Sequence, residues 1–120
     1  MLLTQDPYLA VESGLTLPRG LELGQFSYFP GLSTAQAQRL HVLNHEQFLD
    51  LLRTCPATIA AFSDYAFAMR SPEITPLAHA EQAAFWRLLE ERYTQRQEIP
   101  NFGQAFTTLR IFTLNPAKEP

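Results

Sequence analysis

The sequence contains a single cysteine, Cys55, in 120 residues. One thiol cannot form an internal disulfide or a zinc site built from several cysteines. The sequence also has no run of the roughly eighteen apolar residues that a membrane-spanning helix requires. Positive charge is scarce, because nine Lys and Arg stand against twelve Asp and Glu, for a net charge of −3. This balance argues against binding a phosphate backbone, so no nucleic acid is expected as a partner.

The composition is otherwise that of a folded domain. Hydrophobic residues make up 46% of the chain and aromatic residues 12%, which is enough for a packed interior. A chain of this length has room for one hydrophobic core, so residues 1–120 are expected to form a single domain. The sequence opens directly on a strand-like run, Leu2-Leu3-Thr4, and we expect the domain to be excised from a longer membrane protein.

The pattern of apolar runs predicts an α/β fold. Residues 1–4 and 58–62 are expected to form adjacent parallel strands, because helices intervene and parallel strands need such crossovers. Residues 93–99 and 107–114 are expected to pair as an antiparallel hairpin with a wide loop. The predicted fold is a small mixed sheet, with parallel strands and a C-terminal antiparallel hairpin, flanked by helices.

Capping signals predict where the helices begin. Asp6 followed by Pro7 is typical of a helix start. Ser33 and Asn44 each have a glutamine three residues later, the spacing of a capping box. Thr75 is expected to cap the longest helix, which would start at Pro76 and reach about Arg92.

Two carboxylates are candidate binding residues. Asp6 and Asp64 are each expected just beyond the carboxyl end of a strand, where open α/β sheets place their ligands. On neighbouring strands the pair could share a metal ion or act as acid and base. Alternatively, each carboxylate only caps a helix or a turn, which requires no ligand.

Other catalytic constellations are incomplete in this sequence. His41 and His45 have the spacing of a helical metal pair, but Asn44 is expected to end the helix between them. No serine lies in a G-x-S-x-G elbow, and the glycines match neither a dinucleotide fingerprint nor a P-loop. Arg70 could bind an anion from a loop or be an ordinary surface residue. No catalytic residue, metal site or cofactor is therefore predicted.

Residues 24–31 form an aromatic loop framed by glycine and proline. Phe26, Tyr28 and Phe29 lie in this loop without the periodicity of a helix or strand. They could form a contact surface for a partner domain, a membrane interface or a ligand. In the other interpretation the loop folds back, and Phe26 and Phe29 fill the core.

Three blocks carry a family resemblance: residues 4–14, the strand-like run ending at Asp64, and the closing segment from Asn101 to Leu114. They resemble the soluble C-terminal region of bacterial GT-C-type membrane glycosyltransferases, which are akin to the dolichyl-phosphate-mannose–protein mannosyltransferase family. In that family the catalytic acidic residue lies between early membrane helices, so no catalytic role transfers to a residue of this chain.

The resemblance implies a non-catalytic accessory domain on the extracytoplasmic face of the membrane. Its partner would be the membrane-embedded portion of the same parent chain, and it could help to accept a lipid-linked sugar or the acceptor. The alternative is a free-standing small α/β enzyme or binding module that uses the crevice between Asp6 and Asp64.

Overall fold

The computed structural model describes residues 1–63, 78–103 and 106–116. Along the chain its secondary-structure elements are β1 Leu2–Thr4, α1 Pro7–Ser13, a 3-10 helix Gly24–Ser27, α2 Thr34–Leu40, α3 His45–Thr54, β2 Ile59–Ser63, α4 His79–Arg92, β3 Tyr93–Phe102 and β4 Thr107–Leu114.

The four strands form one mixed sheet in the order β1-β2-β4-β3. β1 runs parallel to β2, with Leu2 opposite Ile59. β4 is antiparallel to both of its neighbours, and β3 and β4 form the C-terminal hairpin. The predicted α/β fold with parallel strands and a closing antiparallel hairpin is therefore confirmed.

Three of the predicted helix starts are also confirmed. The Asp6 carboxylate accepts a hydrogen bond from the backbone N–H of Tyr8 at 3.0 Å. Ser33 and Asn44 each form a complete capping box with the glutamine three residues later. These side chains satisfy backbone N–H groups that have no partner within the helix, so each start is encoded locally.

The start of α4 differs from the prediction. This helix begins at His79, and its N-cap is Ala78, whose extended backbone makes no side-chain capping bond. The predicted cap Thr75 and first residue Pro76 lie outside the described residues. The buried residues of α4 are Phe85 and Leu89, which lie four positions apart on one face of the helix.

The sheet separates two hydrophobic clusters. On one face, α3 and α4 pack over Leu3, Phe62 and Phe112. On the other face, Leu2, Ala61 and Leu109 pack with residues of α1 and the loop after it. Cys55 is buried in the first cluster.

The topology brings three chain segments to one edge of the sheet. β1 and β2 both end at this edge, since Thr4 lies opposite Ala61. β4 runs the other way, so its start near Thr107 lies there too, with the hairpin tip. The opposite edge carries Arg92 at the end of α4, where its guanidinium donates to backbone carbonyls at the end of α3.

Candidate functional site

Asp6 lies at the carboxyl end of β1, as predicted, and both its backbone N–H and its carboxylate make hydrogen bonds to nearby residues. Its backbone N–H donates to the Thr4 hydroxyl at 3.1 Å, and its carboxylate caps α1. Asp64 follows the last residue of β2, but both Asp64 and Arg70 lie outside the described residues. The capping role of Asp6 is therefore established, and the proposed carboxylate pair stays a prediction.

A turn of backbone occupies the space beside Asp6. Gly24, which begins the 3-10 helix, has a φ of +63°, and a side chain on it would lie 2.8 Å from Pro7 Cδ and 2.9 Å from the Gln5 carbonyl oxygen. Only glycine allows so close an approach with a left-handed backbone. The 3-10 helix is thereby seated directly on the carboxyl end of β1.

The three rings of the aromatic loop have different environments. Tyr28 is buried, Phe29 is half-buried and Phe26 is 55% exposed. The interpretation in which Phe26 and Phe29 fill the core is therefore wrong. Phe26 lies in the short 3-10 helix with its side chain exposed, whereas Tyr28 follows that helix in an extended conformation with its side chain buried. Backbone bonds between Phe29 and Leu43, and between Leu43 and Ser27, hold this arrangement.

Tyr28 anchors the loop to α3 and α4. Its ring packs edge-on against Phe48 and Phe85, and its hydroxyl lies 3.1 Å from His45 Nδ1. Burial, and secondarily the nearby Glu81 carboxylate, raise the pKa of the Tyr28 phenol well above its usual value. A phenol that keeps its proton so firmly is a poor base or nucleophile, so we assign Tyr28 a structural role.

His41 and His45 are separated as the sequence indicated. His41 ends α2 with a left-handed backbone, and Asn44 caps α3 before His45. His45 instead lines an open groove of about 470 Å³ between α3 and α4. The groove is lined by the apolar residues Leu49, Ala84 and Leu88 and by arginine and glutamate side chains.

Exposed apolar side chains lie on the two segments that adjoin Asp6. Tyr8 and Val11 project from α1 with 80% and 76% of their surface exposed, and Leu23 and Phe26 are each 55% exposed. These two pairs belong to neighbouring segments, since Gly24 packs against Pro7.

The hairpin tip adds a further ring at the same edge. Phe106 is 73% exposed and lies between Phe102 and Thr107, which face each other across the hairpin. We call the five residues Tyr8, Val11, Leu23, Phe26 and Phe106 the aromatic edge. Of these, the sequence pointed only to Phe26. The exposure of Tyr8 and Val11 could have been predicted from their three-residue spacing, which puts them on one side of a helix whose other side carries Leu9 and Ala10.

Several charged residues lie close to the aromatic edge in the chain. Glu12 and Glu22 are exposed, and each directly adjoins an edge residue in the chain. The half-buried Asp6 lies two residues before Tyr8. Arg19 and Arg110 each lie four residues from an edge residue in the chain, so charges of both signs adjoin the edge.

The described part of the chain holds neither a metal cluster nor a membrane span. Within residues 1–63, 78–103 and 106–116, no three His, Cys, Asp or Glu side chains are grouped so that they could hold a metal ion. No helix in these ranges has the length and apolar character needed to cross a membrane.

Comparisons with protein-family models, curated proteins and solved structures found no match to this chain.

Proposed function

We propose that this chain is a non-catalytic accessory domain of a membrane glycosyltransferase, with its aromatic edge facing the membrane. The single observation that carries the proposal is the aromatic edge itself. The resemblance of residues 4–14, and of the strand and hairpin blocks, to the soluble region of GT-C-type enzymes supports the class of parent protein.

The aromatic edge calls for a partner because its exposure to water is unfavourable. Burial of apolar surface contributes roughly 25 cal/mol per Å². Single exposed apolar residues are common on soluble proteins. In this chain, however, five large ones lie on α1, at the 3-10 helix and at the hairpin tip, and these segments begin or turn at the same end of the sheet. Such convergence is typical of a contact surface.

In this proposal the domain lies on the extracytoplasmic face, beside the membrane-embedded portion of the same parent chain. The catalytic groups belong to that portion. The domain would help to hold a lipid-linked sugar or its acceptor near the membrane surface, and it would need neither a metal nor a cofactor to do so.

The alternative of a free-standing enzyme has less support. It requires the Asp6 carboxylate to be available to a ligand, whereas that carboxylate caps α1. It also requires an open crevice at the end of β1, where the 3-10 helix packs against Gln5 and Pro7.

A sugar-transfer assay tests the proposal. The purified chain is added to vesicles that contain a lipid-linked sugar and an acceptor, with and without the membrane-embedded portion encoded upstream of it. We expect no transfer by the chain alone, and an increase when both parts are present. The variant Phe26→Ser/Phe106→Ser should lose that increase.

Leu40→Ser is the matched control, because Leu40 is 60% exposed on α2, outside the aromatic edge. This variant should behave like the unaltered chain. Transfer by the chain alone that disappears in Asp64→Asn would contradict the proposal and favour the free-standing enzyme.

A further inference from the structure

We draw no further inference here: the strongest candidate, the open groove between α3 and α4 that His45, Leu49 and Leu88 line together with arginine and glutamate side chains, carries none, because its charges of both signs select no one partner and nothing in the part of the chain that the structure describes shows what covers it.

Discussion

At the residue scale, neighbouring aromatic side chains differ in burial, and the sequence does not show which of them is buried. Phe26 and Tyr28 are two residues apart in an irregular loop, yet one is exposed and the other lies in the core. Neither the helical nor the strand period applies there, so the direction of each ring depends on the 3-10 turn and on the backbone bonds to Leu43. The sequence therefore locates the loop but does not determine which of its rings are buried.

Tyr93 leads to a prediction about alkaline pH. Its buried hydroxyl donates to the Ala57 carbonyl at 2.6 Å. Burial, aided by Cys55, raises the pKa of this phenol to about 12, from 10.0 in a solvated tyrosine. Between these values the unfolded chain loses the proton while the folded chain keeps it, so the free energy of unfolding should fall as pH rises through this window. At pH values below this window the stabilisation is complete.

Denaturant unfolding across that pH range measures the effect. Tyr93→Phe should be less stable by about 1 kcal/mol at neutral pH, because a buried carbonyl loses its donor, and its alkaline decline should be shallower. Some decline remains, since the Tyr28 pKa is also raised. Tyr8→Phe, at an exposed position, is the control and should change neither quantity. An equal alkaline slope in Tyr93→Phe and the unaltered chain would show that this phenol is not responsible.

At the element scale, local signals gave the helix starts correctly where a polar side chain makes the cap. Asp6, Ser33 and Asn44 each bond to backbone within a few residues, so the information lies in the adjacent sequence. α4 has no such side-chain cap, and its start could not be located in the same way. The 3-10 helix gave no periodic signal either, although Gly24 marked the place where backbone packs closely on Pro7.

The capping role of Asp6 leads to a prediction for α1. Asn caps helices about as well as Asp, so Asp6→Asn should change the free energy of unfolding little, whereas Asp6→Ala should cost about 1 kcal/mol. Denaturant unfolding of the two variants measures the difference. If both variants were as stable as the unaltered chain and yet lost binding of some ligand, the carboxylate would have a binding role and not a capping one.

At the scale of the whole molecule, the two pairings β1-β2 and β3-β4 were predictable, and the way they join was not. Parallel β1-β2 follows from the intervening helices, and the hairpin follows from the turn-rich link before Thr107. Which hairpin strand lies beside β2 depends on packing across the sheet, and it is β4. That choice, with its antiparallel direction, brings Phe106 to the edge that carries Tyr8 and Phe26.

The aromatic edge was therefore only partly visible in the sequence. Phe26 was indicated by its loop, but its grouping with Tyr8 and Phe106 requires the tertiary fold, since the three lie far apart in the chain. Asp6 was correctly placed at the end of β1, and its capping role was one of the two interpretations that the sequence left open.

Photocrosslinking in membranes that contain the proposed parent protein tests the central claim most directly. A photoreactive phenylalanine analogue is placed in turn at Phe26, Phe106 and, as the control, Leu40. We predict crosslinks to lipid or to the membrane-embedded portion from Phe26 and Phe106, and none from Leu40. Crosslinks from Leu40 with none from Phe26 and Phe106 would show that another face of the domain meets the membrane, and would contradict the account.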